Sequence, residues 1–230
     1  MKVTAPRLIR WTGLSAVAAG IIFVVIQPIH PLDVPSSVTT AEWTIIQSSK
    51  VAMCLLGLLG LAGLYARQVG RVGWLGLAGY LLFSLFFALT LPFVFAQAFI
   101  VPLLATTAPA FVEGWLGIFN GNPGEVDLGV LPALYNLTGG AYLLGGLLFG
   151  IATLRAGVLP RWAAGLLAVG TVLPLLASPL VEHPFDRIFA VPVGLALAWL
   201  GHALWSKRRE QAADTAPGTE GPLLRPTAAE

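Results

Sequence analysis

Residues 51–79 read VAMCLLGLLGLAGLYARQVGRVGWLGLAG, and this stretch decides the fold. An apolar run ends at Arg67, and a second apolar run begins after Arg71. Followed outward, the two runs cover about residues 44–66 and 72–100. A helix of ~20 apolar residues is long enough to cross ~30 Å of hydrocarbon. The stretch therefore predicts two membrane-spanning helices joined by a short basic turn.

The same apolar character extends over most of the chain. Of its 230 residues, 57% are hydrophobic and only 10% are charged, and the mean hydropathy is +0.82. A water-soluble core of this size could not accommodate that composition, so the chain needs lipid as its solvent. The net charge is only +2 and the basic residues lie beside apolar runs, so no nucleic-acid partner is expected. The lone Cys54 excludes a disulfide framework and a multi-cysteine metal site.

Six apolar segments fit the sequence as membrane spans, at about residues 12–29, 44–66, 72–100, 131–154, 162–181 and 188–206. With six spans, both termini are cytoplasmic, and Lys50 and Arg187 are the only two of the 13 Lys and Arg residues left outside. A seventh crossing within 72–105 would move Arg155, Arg161 and the cluster at Lys207 outward, against the positive-inside rule. The sequence therefore predicts an all-α membrane protein. Residues 1–206 would form a six-span transmembrane helix bundle, and residues 207–230 a disordered cytoplasmic tail.

The segment from Thr106 to Val130 is too long for a tight turn and too apolar for a solvated loop. Phe111, Trp115 and Ile118 follow a helical repeat, and Asn120-Gly121 is typical of a helix stop. The pattern predicts an interfacial helix on the outer face. Such a helix could rest on lipid headgroups or act as a lid over a pocket.

Polar and ionisable residues gather at the predicted outer side. No chain of buried carboxylates or histidines crosses the spans, which argues against an ion-coupled carrier. Lys50 lies roughly 5 Å inside the outer boundary. It could extend its ammonium to headgroup water, or it could hold the anionic headgroup of a ligand. The candidate ligand-binding pocket consists of Lys50, Gln27, Gln47, Gln97, Trp115 and Glu113.

One short motif occurs twice at that side. His30-Pro31-Leu32-Asp33 follows the first span, and His183-Pro184-Phe185-Asp186 follows the fifth. If those spans are neighbours, His30, Asp33, His183 and Asp186 could bind Zn²⁺ or a similar divalent ion. The motif also suits a structural role, because Pro ends a helix and Asp caps the next segment. If the motif is structural, no cofactor is expected. If it binds a ligand, the expected cofactor is a divalent metal such as zinc.

Two further motifs link the chain to known sequences. Residues 145–173, GGLLFGIATLRAGVLPRWAAGLLAVGTVL, join two apolar spans through an Arg-x-Gly-x-Leu-Pro-Arg turn, and Leu8-Ile-Arg-Trp-Thr-Gly-Leu opens the first span. With these motifs, residues 8–206 resemble uncharacterised bacterial multi-pass membrane proteins grouped under a domain of unknown function. The resemblance implies the multi-pass architecture and a bacterial inner (plasma) membrane. It brings no catalytic residues.

These patterns favour a non-enzymatic membrane protein that binds a small ligand or a lipid headgroup in an outward-facing pocket, or that serves as a subunit of a membrane complex. A metal-dependent membrane enzyme that uses the outer His/Asp cluster is the first alternative. A small transporter or channel is the second. Expected partners are membrane lipid, the ligand, and a complex partner or second copy. The Gly146-x-x-x-Gly150 pair could serve as a dimer surface or as a contact within one chain.

Overall fold

The computed structural model describes residues 4–122, 124–177, 180–181 and 185–214, and every regular element in that part of the chain is helical. The α-helices are α1 (Ala5–Ile29), α2 (Ala41–Phe99), α3 (Val101–Leu104), α4 (Pro109–Asn120), α5 (Leu131–Ala156), α6 (Arg161–Ala177) and α7 (Val191–Asp214). Short 3₁₀ helices at Pro35–Ser37 and Phe185–Ala190 precede α2 and α7. The predicted all-α class is confirmed.

Helix α2 is a hairpin of two antiparallel arms. Gly73 interrupts it with φ 56° and ψ −159°, a conformation that is open almost only to glycine. The rings of Tyr65 and Tyr80 stack with centroids 4.6 Å apart, which a straight helix rising 1.5 Å per residue would not allow. The arms, residues 41–72 and 74–99, coincide with the second and third predicted spans. Gly73 is therefore the turn, and it does not belong to a packing ridge with Gly76, as helical spacing would suggest.

Small residues set the contacts between neighbouring helices, because a missing side chain lets two backbones approach. The inter-helix glycine contacts are Gly60 with Ala16, Gly63 with Thr12, Gly20 with Gly194, Gly13 with Gly201, Gly79 with Phe149, Gly145 with Phe83, Gly146 with Thr171 and Gly150 with Ala168. Along each of these interfaces, residue numbers increase on one helix as they decrease on the other, so the paired helices are antiparallel. Since Gly146 and Gly150 face α6 of the same chain, a second copy would need another surface.

The bundle has two chemically different ends. The Gly73 end, as we call it, carries the turn of α2, the turn between α5 and α6, and the start of α1. The His30 end carries the segment that joins α1 to α2, the helix α4, and the 3₁₀ helix before α7. At the Gly73 end, Trp11, Trp74 and Trp162 are largely exposed. Exposed indoles at one level are typical of a boundary between membrane and water.

Four segments are long and apolar enough to cross a membrane: Arg7–Ile29, Ala41–Phe99, Leu131–Ala156 and Phe185–Ser206. Helix α6 is also apolar but shorter. Large apolar side chains such as Ile45, Val169 and Leu176 remain exposed on the outside of the bundle, as expected where lipid covers the surface. The chain is thus a helical, membrane-embedded protein.

The ends of two helices bear on the sequence predictions. Helix α4 stops at Asn120, where Gly121 takes φ 78° and caps it, as the Asn-Gly pair predicts. Helix α7 continues to Asp214, beyond the predicted boundary at residue 206. The rest of the predicted tail, residues 215–230, lies outside the described part of the chain.

Candidate functional site

His30 and Lys50 form a hydrogen-bonded pair at the His30 end. His30 follows the last residue of α1, and its Nδ1 lies 2.7 Å from the backbone oxygen of Pro31. A carbonyl oxygen can only accept, so Nδ1 carries the proton. The Nε2 atom lies 3.1 Å from the Lys50 Nζ, and an ammonium can only donate, so Nε2 accepts. The imidazole is therefore neutral and orients the half-buried Lys50 ammonium.

Arg187 joins the two segments that carry the repeated motif. Its Nη2 donates to the Asp33 Oδ2 at 2.6 Å, and the pair is largely buried, with 14% of the Arg187 side chain and 4% of the Asp33 side chain exposed. Its Nη1 donates to the backbone oxygens of His30 and Pro31, each at 3.3 Å. The segment after α1 and the 3₁₀ helix before α7 are therefore neighbours, although the described residues of α1 and α6, the first and fifth predicted spans, do not pack against each other.

Helix α4 covers this end of the bundle. Its buried residues, among them Val112, Trp115 and Leu116, pack with Trp43 and Phe93 of α2 in one apolar cluster. The Asn120 Nδ2 at the end of α4 donates to the backbone oxygen of Asp33 at 2.9 Å. An apolar face and a hydrogen bond thus hold α4 in place over the arms of α2.

Two glutamines on the arms of α2 have unsatisfied amide groups, and each lies one turn from a residue that packs against α4. Gln47 and Gln97 are fully buried, and neither the Oε1 nor the Nε2 of either side chain has a hydrogen-bond partner. The Trp43 Nε1 donates to the backbone oxygen of Gln97 at 2.7 Å. Gln47 lies one turn further along the arm of Trp43, so it faces the same part of the opposite arm. Lys50, three residues after Gln47, projects from the same helix face.

Trp115 adds another unsatisfied group. Its side chain packs on Phe93 with ring centroids 5.7 Å apart, and only 7% of the residue is exposed. The indole Nε1 is buried and has no acceptor, although a buried indole N–H usually finds one. Donors and acceptors therefore remain available on both α2 and α4.

The other two members of the predicted pocket lie elsewhere. The Gln27 Nε2 donates to the Phe23 backbone oxygen at 2.9 Å, so this amide serves its own helix. Glu113 is exposed on α4, next to the buried Val112. The structure brings Lys50, Gln47, Gln97 and Trp115 to one end of the bundle, but it does not add Gln27 or Glu113 to their buried face.

The predicted metal ligands are only partly visible. His183 lies outside the described residues. The Nε2 of His30 already accepts from Lys50, and Asp33 is ion-paired with Arg187. Within the described ranges, no group of three His, Cys, Asp or Glu side chains could hold a metal ion. The zinc site at His30, Asp33, His183 and Asp186 stays a prediction, which metal analysis of the purified protein without a histidine tag would test.

Comparisons of the chain with protein-family models, with curated proteins and with solved structures find no match. The resemblance to uncharacterised bacterial membrane proteins stays a prediction.

Sequence reasoning missed the structural role of Arg187. One signal pointed to it: Lys50 and Arg187 are the two basic residues that the six-span arrangement leaves outside. Both contact His30, one through the ring and the other through the backbone. A basic residue predicted on the outer side runs against the positive-inside rule, so a local contact is expected to hold it there. For both Lys50 and Arg187, that contact is with His30.

The arrangement suits an anionic or acceptor-bearing ligand. Arg187 is ion-paired with Asp33, whereas the Lys50 ammonium is held by the neutral His30 ring. The Lys50 ammonium lies on the same helix face as the unsatisfied amide of Gln47, which can both donate and accept.

Proposed function

We propose that the chain is a six-span plasma-membrane protein that holds a small anionic ligand or lipid headgroup at its outward His30 end, without catalysing a reaction on it. The antiparallel arms of α2 and their antiparallel neighbours support six crossings. Arg67, Arg71, Arg155 and Arg161 all lie at the Gly73 end, which favours a cytoplasmic Gly73 end under the positive-inside rule.

The unsatisfied amides of Gln47 and Gln97 carry the proposal. A buried polar group without a partner costs about 1–3 kcal/mol, and this cost applies to four amide atoms here. A bound molecule with complementary donors and acceptors would offset it, and Lys50 would supply the charge. Ordered water is the simpler occupant, and it is one outcome of the test below.

Helix α4 is the proposed lid. It packs on Trp43 and Phe93, each one turn from a glutamine, and its bond from Asn120 ends at the segment that also holds Arg187. Opening would break one side-chain hydrogen bond and separate one apolar cluster, which leaves the bundle itself intact. A lid on a rigid scaffold excludes water from the bound ligand.

The first test replaces both glutamines, in Gln47→Leu plus Gln97→Leu. We expect the empty protein to become more stable, because the substitutions remove unsatisfied buried groups without removing a hydrogen bond. Ligand binding should be lost at the same time. Stability can be followed with a thiol-reactive dye, since Cys54 is the lone cysteine and is buried. Co-purified molecules can be detected by native mass spectrometry.

Gln27→Leu is the matched control. Its amide already donates to a backbone oxygen, so the substitution should not stabilise the protein or remove the bound molecule. Lys50→Met should leave the fold intact and abolish binding. A double-glutamine variant that is less stable than wild type and keeps its bound mass would contradict the proposal. A wild-type protein that carries no molecule other than water would do so as well.

A transporter or channel is the second candidate function, and one observation favours it. The buried hydroxyls of Ser84, Thr90 and Tyr142 have no partner, and they lie between the two ends of the bundle. Hydroxyls in helices usually bond to a backbone carbonyl one turn earlier, as Thr138 does to Leu134. If these groups line a wetted path, uptake of a small solute into proteoliposomes would detect it.

A further inference from the structure

Two cavities meet at the Gly73 end, far from the site described above. One has a volume of about 240 Å³ and is lined by Arg71, Gly73, Trp74 and Arg155, among others. The other has a volume of about 410 Å³ and is lined by Arg67, Gln68, Arg71 and Val158, among others. Arg71 belongs to both, so the two cavities are adjacent, and we call them together the basic recess between the turn of α2 and the end of α5.

The two turns that form this recess carry positive charge and no acidic residue. The sequence has no Asp or Glu between residues 43 and 112 or between residues 128 and 181, which covers both turns at this end. Within the described ranges, Arg67, Arg71 and Arg155 form no ion pair or hydrogen bond. Three guanidinium groups therefore offer their donors to something other than the chain.

Gln68 provides an independent indication of a ligand. It is only 2% exposed, and its Nε2 donates to the Thr153 hydroxyl at 2.8 Å. Its Oε1 has no partner, although Gln68 lines the larger cavity. The positive-inside rule explains why arginines gather here, but it does not explain a buried acceptor that lacks a donor.

We infer that this recess is a binding site for a phosphate ester that also carries a hydroxyl group. Arg67, Arg71 and Arg155 bind the phosphate, since the guanidinium fork matches its oxygens. The ligand hydroxyl donates to the Gln68 Oε1. A phosphatidylglycerol headgroup and soluble glycerol phosphate share this chemistry. Trp74, which lines the smaller cavity and is 85% exposed, lies at the depth of a headgroup if the membrane boundary runs through it.

The test measures binding to the full chain in detergent by calorimetry. The probes are dioctanoyl phosphatidylglycerol, dioctanoyl phosphatidic acid, dioctanoyl phosphatidylcholine and glycerol 3-phosphate. We expect phosphatidylglycerol to bind, and Arg71→Gln plus Arg155→Gln to weaken its binding at least about tenfold, because two charge-assisted contacts are lost. Gln68→Leu should weaken the binding of phosphatidylglycerol but not of phosphatidic acid, which has no headgroup hydroxyl.

Arg161→Gln is the matched control, because Arg161 lies at the same end of the bundle but lines neither cavity. It should change binding by no more than about twofold, since no phosphate contact is lost. Binding of glycerol 3-phosphate as tightly as the lipid identifies a soluble ligand, and binding of the lipid alone identifies a headgroup. The inference is wrong if phosphatidylcholine binds as tightly as phosphatidylglycerol, if Arg161→Gln weakens binding as much as the double variant, or if no probe binds.

Two further controls show whether a variant has lost its fold and which of the two proposed sites binds the lipid. The unfolding temperature reported by Cys54 should be similar in wild type, in Arg71→Gln plus Arg155→Gln and in Arg161→Gln, whereas Gln68→Leu should lower it modestly because it removes the hydrogen bond to Thr153. Lys50→Met should leave phosphatidylglycerol binding at this recess unchanged, so failure of the outer site and failure of this one are distinguishable.

Discussion

His30 is the residue on which the two outlying basic side chains converge. Lys50 donates to its ring, and Arg187 donates to its backbone oxygen. The ring therefore has a fixed tautomer and a fixed orientation before any ligand arrives. A donor that is already held in place loses less conformational entropy on binding an anion than a mobile lysine does. The hydrogen bond to His30 therefore fixes the position of the Lys50 ammonium, which could otherwise extend to headgroup water.

The ion pair between Asp33 and Arg187 should contribute strongly to stability. We expect Asp33→Asn to lower the free energy of unfolding by about 3 kcal/mol, because it leaves a largely buried guanidinium without its counter-charge. Arg187→Gln should have a similar effect, and the double variant should cost less than the two single costs added together. The Cys54 dye assay measures all three variants. Glu42→Gln, at an exposed carboxylate of the same end, is the control, and an equal loss there would argue against a specific role for the pair.

At this scale the sequence predicted which residues were unusual, but not how they were paired. Lys50, Gln47 and Gln97 stood out because polar groups are costly in an apolar span. Their contacts depend on the register between arms that are separated by dozens of residues, and no local pattern encodes that register. Glu113 was misplaced for a related reason: it lies on the correct helix, but the choice of buried face also depends on packing.

Among the secondary-structure elements, helix α2 determines the geometry of both ends. Its turn at Gly73 brings Trp43 to the carbonyl of Gln97 at one end and places Arg67 and Arg71 beside α5 at the other. The basic break in the sequence predicted the two helical arms in outline. It did not identify the turning residue, because Gly73, Gly76 and Gly79 share the helical spacing of a packing ridge.

Gly73→Ala should destabilise the protein, by about 1–3 kcal/mol, because an alanine in that backbone conformation is strained. Gly70→Ala is a close control. Neither glycine has an atom within 4 Å of the position that a β-carbon would occupy, so crowding affects neither substitution. Gly70 lies in helical backbone, and alanine there should be neutral or slightly stabilising. Equal unfolding temperatures in the two variants would mean that the turn tolerates a side chain.

On the scale of the whole molecule, the two ends differ in the kind of polar groups they expose to a partner. The His30 end combines the Lys50 ammonium, hydrogen-bonded to a neutral ring, with buried amides, whereas the arginines that line the recess at the Gly73 end lie beside one buried acceptor. Between the ends, the core of the described bundle is apolar apart from a few hydroxyls and the pair of Gln68 with Thr153. The two proposed sites therefore lie at opposite ends of the bundle.

The orientation can be tested with single cysteines in a Cys54→Ala background. We expect Glu113→Cys and Glu125→Cys, both at exposed positions of the His30 end, to react with a membrane-impermeant maleimide on intact cells. Gly70→Cys, also exposed, should react only after permeabilisation, because the arginines around it favour the cytoplasm. Labelling of Gly70→Cys from outside would reverse the proposed orientation and place the amide site in the cytosol.

The single-residue reversal at Gly73 has a consequence for biosynthesis. Only Gly73 separates the first arm of α2 from the second. We therefore expect the two arms to enter the bilayer as one unit during synthesis. A spacer introduced after Gly73 should uncouple their insertion and loosen the register that pairs Trp43 with the Gln97 carbonyl.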